Sequence, residues 1–477
     1  MNLAEQMDFI KRLEARYPVE EWTIDGILVW PMIRVTFAED MFARQFRSAP
    51  AAHSSARHRD PSFQTILAHT WGYLKAYSKD HRGNDRLKGQ VDYVFLTNTL
   101  RRQKLMGHYY DRICDPVIDN LRRKGKKVTV LEMTADHHFL YPRHNPSIWL
   151  QLKADHQNLF RRIRSRGAKP SPQVSLTGWE AFRQEIAPMV TSIDDYELPA
   201  IIDKTLRLRD RADLFKKLLM QARPQTAFAD SFYAEAGMAF CLACRELDIP
   251  VIDIQHGVTG EYHRHYASWT RVPAAGYQLL PAIFWCWTEE DARVIENWSA
   301  GNSRHRAVVK GNPWLMMWKA GDSQITSWYD ARIEERFGDK TLILITLQSH
   351  LSDYGLFDWL IEAMQHGDEN WQWLVKLHPK NRNEIQVIEA RLKSCGVMNA
   401  DVKTATEFPL PALLRHVKVH ITGYSTSLLD ALEFGIPSII THESGREIFA
   451  DQLAAKDAVS VQEPKSLLDA IDLLLRN

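Results

Sequence analysis

Residues 371–380, WQWLVKLHPK, and 418–435, KVHITGYSTSLLDALEFG, decide how this chain folds. Each opens on a run of β-branched and aromatic residues too short for a helix and closes on a polar turn. The second run continues with Leu428, Leu429, Ala431 and Leu432 at helical spacing. TLILITL (341–347) before them and PSIITH (437–442) after them repeat the strand, and EIQVIEARLKSC (384–395) supplies a helix between. Strands this uniformly apolar are buried on both faces, as in a parallel sheet covered by helices. The turns that close them then line the carboxyl edge, where open α/β sheets bind ligands.

Working outward, the same grammar appears earlier in the chain. VDYVFLTNT starts at Val91, a helical pattern follows to Arg123, and KKVTVLEM returns as a strand. Gln225–Tyr233, then AEAGMAFCLACRELD, then IPVIDIQ ending at Gln255 form another β-α-β unit. The fold class is therefore α/β, with two Rossmann-like lobes and a helical N-terminal appendage. Residues 1–90 are read as the appendage and its linker, with Arg47–Pro61 lacking any hydrophobic period. Residues 91–320 form the N-terminal lobe and 321–477 the C-terminal lobe, with the hinge between Trp314 and Gly338.

The 477 residues, 45% hydrophobic, exceed what one core holds. Sixty basic against fifty-nine acidic side chains leave a net charge of +1, so no global field exists for nucleic acid. Five cysteines, odd in number and in apolar segments, fit a reducing compartment rather than a disulfide framework. No apolar run approaches a membrane span, and the N-terminus lacks the core of a signal peptide. The expected location is cytoplasmic, at most peripheral at the inner membrane or against assembly proteins.

In the C-terminal lobe Lys376, His378 and Pro379 close one strand, and Ser425, Thr426 and Ser427 close a later one at the start of a helix. Hydroxyls and free backbone N–H groups at a helix start form a phosphate cradle, and the lysine and histidine add charge-assisted donors. The competing reading of the serines is an ordinary helix cap. In the N-terminal lobe Asp230 follows one strand and His256 the next, so a carboxylate and an imidazole share one edge. Asp230 suits a nucleophile or base and His256 a donor to a leaving group, with Glu261, His263 and His265 in the adjoining loop. The competing role for Asp230 is a helix cap. Arg101, Arg102, His108 and Tyr110 follow the first strand and suit an acceptor sugar, which stacks on rings and bonds to arginine. Cys241 and Cys244 lie in an apolar helical pattern without a second pair and read as small core residues. His263 and His265 stand only two apart and make no metal site.

The HP pair at His378-Pro379, followed some fifty residues later by the Ser/Thr group, resembles the nucleotide-phosphate site of bacterial sialyltransferases, CDP-glycerol polymerases and capsule-type transferases for 3-deoxy-D-manno-oct-2-ulosonic acid (Kdo). Ile249-Pro250 through Gln255-His256-Gly257 and Lys310-Gly-Asn-Pro313 resemble further segments of the capsule and teichoic-acid enzymes, so the likeness covers residues 91–450. It implies a GT-B glycosyltransferase that moves Kdo from CMP-Kdo to a lipid-linked or surface glycan in lipopolysaccharide, O-antigen or capsule assembly. His378 would contact the donor phosphate, Ser425–Ser427 would hold it, and Asp430 would orient a loop or the ribose. The near-neutral charge favours sugar transfer over CDP-glycerol-type polyol-phosphate transfer; a non-catalytic nucleotide- or sugar-binding protein is the other alternative. No Asp-x-Asp occurs, so no cofactor and no metal are expected. The partners expected are a nucleotide-sugar donor and a glycan acceptor.

Overall fold

The structure of the protein, a computed structural model, describes residues 2–45, 67, 70–72, 74–75, 89–133, 140–164, 172–302, 304–349 and 351–476. The whole Arg47–Pro61 linker reading, and most of residues 62–88, lie outside the described residues. Two compact units divide the chain, Met1–Pro313 and Trp314–Asn477. The boundary falls at the Lys310-Gly-Asn-Pro313 motif. The segment read as a hinge carries two helices, Pro313–Ala320 and Gln324–Phe337, the second started by a capping box of Ser323 and Thr326.

Unit 1 is built on seven strands: β1 (Tyr93–Thr97), β2 (Val128–Glu132), β3 (Ile148–Trp149), β4 (Thr226–Ala229), β5 (Val251–Ile254), β6 (Ile283–Cys286) and β7 (Arg306–Val309). Their spatial order is β3-β2-β1-β4-β5-β6-β7, and every pair is parallel. This is the doubly wound order, and the direction of winding reverses between β1 and β4. Phe95 and Phe228 stand opposite each other across that pair and stack with centroids 4.5 Å apart. One face packs these rings on Val117 and Ile118 of the helix Asp115–Arg123; the other buries Val94, Leu96 and Ala227 in the larger core.

The helical N-terminal segment is present, and its apolar face enters that larger core. Met7, Ile10 and Leu13 of helix Leu3–Arg16 and Ile33 and Phe37 of helix Trp30–Gln45 are buried there. Trp22 joins them at 5.3 Å from Trp179 and 5.0 Å from Phe182. Residues 101–111, expected to begin a helix, form an antiparallel ribbon, Arg102–Leu105 with His108–Asp111, and the helix starts only at Asp115. Gly107, at φ 85°, makes the tight turn that joins its strands.

Unit 2 holds six parallel strands: β8 (Thr341–Thr346), β9 (Trp371–Lys376), β10 (Ala400–Asp401), β11 (Val419–Thr422), β12 (Ser438–Ile440) and β13 (Ala458–Ser460). They lie in the order β10-β9-β8-β11-β12-β13. Along β8, Ile343 and Ile345 enter one core and Leu342 and Leu344 another. That two-sided burial is why the strand reads as unbroken apolar sequence. The α/β architecture of two Rossmann-like lobes read from the sequence is the one observed. Among the described residues no helix is long and apolar enough to cross a membrane.

Candidate functional site

A doubly wound sheet opens a crevice where its winding reverses, because the connections leaving the two central strands go to opposite faces. In unit 1 that point is framed by Asn98, just after β1, and Asp230, just after β4. The amide of Asn98 donates to both carboxylate oxygens of Asp230, at 3.1 and 2.8 Å. Asp230 is only 3% exposed. Burial above all, then the carboxylates of Asp111 and Asp253, push its pKa well up, while the Arg101 guanidinium pulls it down. Burial of this kind favours the protonated form, the one that can act as an acid.

His256 follows β5, the neighbour of β4. Its Nε2 lies 2.9 Å from the hydroxyl of Tyr233. Burial first, then the positive field of Arg101, lowers its pKa to about 3, so the imidazole is neutral and can accept a proton. Between the two, Asp253 accepts hydrogen bonds from the backbone N–H of Phe232 (2.9 Å) and the hydroxyl of Tyr266 (2.7 Å). Burial raises it to about 7.

Below this edge lies a buried carboxyl layer. Asp111 takes the backbone N–H groups of Ile113 and Cys114 at 2.9 and 3.0 Å, and its second oxygen is buried without a hydrogen-bond partner. Asp115 accepts from the Asp111 backbone (2.7 Å) and from Asn145 (3.0 Å), and burial raises it to about 7. Arg102 crosses to Glu132 at 2.8 Å, a pair buried at both ends. Its guanidinium therefore organises the layer instead of meeting an acceptor sugar. Tyr110 is likewise wholly buried, its hydroxyl turned to Asp119 at 3.3 Å. His108 bonds back to the Met106 carbonyl. Of the four residues expected to bind an acceptor, only Arg101 bears electrostatically on Asp230 and His256.

The histidine loop is held by the N-terminal helices. Arg34 donates to the carbonyls of Ala267 (2.8 Å) and Arg264 (3.1 Å), lies 4.0 Å over the Trp269 ring and pairs with buried Glu14 at 3.1 Å. Glu39 meets His265 Nε2 at 2.7 Å, and His265 stacks on Tyr233 with centroids 4.2 Å apart. His263 is kept neutral, burial first and then His265 lowering it to about 4. Glu261 lies exposed on the same loop, away from this packing.

In unit 2 the winding reverses between β8 and β11. There Thr346 Oγ1 sits 2.9 Å from His420 Nε2, 3.0 Å from Thr422 Oγ1 and 2.9 Å from Ser427 Oγ, while Gln348 Nε2 donates to Thr422 Oγ1 at 2.7 Å. The Ser427 hydroxyl thus faces the core, and its backbone N–H bonds Ser425 Oγ at 3.2 Å. Thr426 is the exposed member of the three, and Asp430 lies within helix Ser427–Glu433. Lys376 turns inward: its ammonium donates to the carbonyls of Ala405 (2.9 Å) and Phe408 (2.6 Å), closing the end of helix Lys403–Glu407. It is therefore engaged by backbone, not free for a phosphate. His378 Nδ1 accepts the Lys380 N–H at 3.2 Å and precedes Pro379 at the start of a short 3₁₀ turn. A side chain at Gly423 would come within 2.5 Å of Gln348 Oε1, so glycine lets the strand end approach this network.

Sequence reasoning missed Asn98, Asp115, Glu132, Thr346 and Gln348. Asn98 and Gln348 follow the strands read from sequence at their ends, so a search of every strand terminus flanking the reversal would have found them. Cys241 and Cys244 are free and buried within helix Glu235–Arg245, as small core residues are. Among the described residues no group of three or more His, Cys, Asp or Glu side chains could hold a metal ion.

No protein-family model matches the chain, and no curated protein matches it. Among solved structures it is similar to the UDP-GlcNAc 2-epimerase from Neisseria meningitidis bound to UDP-GlcNAc, at 16% identity and a TM-score of 0.47 over 80% of this chain and 91% of that one. It is also similar to the UDP-GlcNAc 2-epimerase from Methanocaldococcus jannaschii (10% identity, TM-score 0.47, 81% and 93% covered) and to that from Rickettsia bellii (12%, 0.38, 81% and 89%). At these identities the likeness is one of fold. These neighbours, isomerases of a UDP-sugar, overturn the resemblance to Kdo transferases and CDP-glycerol polymerases. The glycosyltransferase class, the CMP-Kdo donor, the polyol-phosphate and binding-protein alternatives and the lipopolysaccharide, O-antigen and capsule roles fall with it.

Proposed function

We propose that the chain is a nucleotide-sugar isomerase: unit 1 carries out proton transfer on the sugar and unit 2 holds the nucleotide. The observation that carries this reading is the pair on neighbouring strand ends at the unit 1 winding reversal, the buried carboxyl of Asp230, whose pKa is pushed up, and the imidazole of His256, whose pKa is lowered to about 3. Two groups on neighbouring strand ends whose pKa values are driven in opposite senses are suited to acid and base roles. Epimerisation at a carbon needs that combination, one group taking a proton from one face and the other returning one to the opposite face. Arg101 supplies positive charge beside both, suited to an enolate or a departing phosphate. Asp111, Asp115, Arg102 and Glu132 are positioning residues beneath it.

For unit 2 the support is the reversal of winding at Thr346, Gln348 and Thr422, with Ser425 and Thr426 beside them and His378 after the adjacent strand. The nucleotide-sugar partner keeps its place in this reading, and a glycan acceptor does not, because an isomerase converts its substrate into an isomer and transfers no group to a second molecule. Cytoplasmic location and independence of metal and cofactor belong to the same proposal; a chelator should leave turnover unchanged, and loss of turnover restored by a divalent cation would refute that part.

UDP-GlcNAc, the ligand of the Neisseria structure, is the first probe. Incubated with the protein in deuterium oxide, it should gain deuterium at C2 and yield the 2-epimer, read by proton NMR. Asp230→Asn should cut exchange by about a hundredfold or more while UDP affinity, measured by calorimetry, stays. Exchange at the wild-type rate in Asp230→Asn would remove the aspartate from the chemistry. No exchange in the wild type with UDP bound would refute isomerisation of this sugar.

A further inference from the structure

The amino edge of the unit 1 sheet, opposite the Asp230 edge, contains a cavity of about 190 Å³. It opens where β5 and β6 begin, against the end of helix Glu235–Arg245. Part of its wall is apolar, with Ile249, Val251 and Leu280, and its mouth carries Arg245 and Arg304 with Asp248 as the single carboxylate. We infer that this cavity is a second binding site, for a small organic anion with a phosphate or carboxylate head and a short apolar body.

Three features carry the inference. First, the two guanidiniums lie on the same mouth, and neither forms an ion pair among the described residues. Arg245 gives one hydrogen bond, from Nη2 to the Ala275 carbonyl at 2.7 Å, and that bond aims the fork instead of neutralising it. Arg304 is exposed. Their mutual repulsion is felt: the Arg245 pKa is lowered, first by partial burial and then by Arg304, with Asp248 opposing. Two arginines with one carboxylate leave a net positive mouth, and a planar fork suits phosphate or carboxylate.

Second, the floor is rigid and neutral. His305 accepts the Tyr277 N–H at Nε2 (3.0 Å) and donates from Nδ1 to the Pro281 carbonyl (2.7 Å), so both ring nitrogens are engaged. Burial lowers its pKa to about 4, and it adds no charge of its own. Gly276, at φ 68°, lets the backbone pass so close that a Cβ there would lie 2.6 Å from the ring. Third, the volume exceeds what a bare phosphate fills, and the apolar part of the lining suits a ligand with carbon behind its charged head.

The test is calorimetry with inorganic phosphate, phenyl phosphate and benzoate on the full chain. Phenyl phosphate should bind with UDP already saturating, because the two sites are separate, and more tightly than inorganic phosphate. Benzoate against phenyl phosphate tells whether the head is a carboxylate or a phosphate. Arg304→Glu, on a side chain with no structural bond, should weaken binding by about tenfold or more while UDP binding stays; Arg245→Gln should do the same. Competition with UDP, binding unchanged in Arg304→Glu, or no binding of either organic anion to the wild type would each overturn the inference.

Discussion

Replacing Arg34 with methionine tests the claim that the N-terminal helices hold the histidine loop. The guanidinium is wholly buried, pairs with Glu14 at 3.1 Å, donates to the carbonyls of Ala267 and Arg264 at 2.8 and 3.1 Å and lies over Trp269. Methionine fills most of the volume, so packing is largely kept. What is lost is the charge: Glu14, itself wholly buried, retains donors from Trp30 Nε1 (3.0 Å) and the Thr270 backbone (2.8 Å) but no cation. Removing one partner of a buried pair costs about 3–5 kcal/mol, much of it from the charge left behind. Against a domain stability of about 5–15 kcal/mol the loss is large. Urea unfolding followed by tryptophan fluorescence should show it as a lower midpoint. Glu14→Gln in the same chain removes the stranded carboxylate, so the double variant should recover part of the loss. A single variant within about 0.5 kcal/mol of wild type, or a double variant that is the simple sum of both losses, would refute the argument.

Other expectations follow from single residues. Asp230 must stay protonated to act as the acid, so isomerase turnover should fall as pH rises through its raised pKa, while His256, lowered to about 3, should give no acid limb near neutrality. A pH–rate profile with the opposite limb would reverse the two roles. His420 is wholly buried between Thr346 and Ser438, and burial lowers its pKa to about 3, below the unfolded value. Its neutral form is the stabilising one, so its contribution is present above about pH 6.5 and is lost toward pH 3, by about 1.4 kcal/mol per pH unit. Urea midpoints measured from pH 7.5 to 4.5 should fall less steeply in His420→Gln, and an unchanged slope would count against a buried neutral ring. Lys376→Met should destabilise the protein by about 1.5–3 kcal/mol, the scale of a charged hydrogen bond, and leave UDP affinity unchanged; weakened UDP binding in a folded variant would return the ammonium to the phosphate site.

The strands were legible because their causes are local. TLILITL, WQWLVKL and KVHITG are apolar on both faces, and the structure puts β8, β9 and β11 within them. The edge that carries Asp230 and His256 follows from strand order and was legible too. What was not legible depends on partners far away in the chain. Lys376 looks like a phosphate ligand until its carbonyl partners, 29 and 32 residues on, are seen. Arg102 and Tyr110 look like sugar contacts because a short polar ribbon has no period that betrays its burial. The partnership of Asn98 with Asp230 spans 132 positions and rests on the placement of β1 beside β4, which no local pattern states. The nucleotide motif misled for another reason: Ser and Thr at a helix start serve a core network and a phosphate equally well, and Ser427 serves the network.

The bond from Arg34 to the Arg264 carbonyl joins residues 230 positions apart. On a ribosome adding about 5–20 residues per second, the first two helices wait roughly 10 to 50 seconds before the loop they hold has been synthesised. Throughout that interval Met7, Ile10, Leu13, Trp22 and Trp30, all buried in the finished molecule, lack much of the core that covers them. The nascent chain thus presents a sticky N-terminal segment for about half the synthesis of these 477 residues, which makes this segment the natural place for a chaperone to bind and makes the yield of folded protein sensitive to the speed of translation.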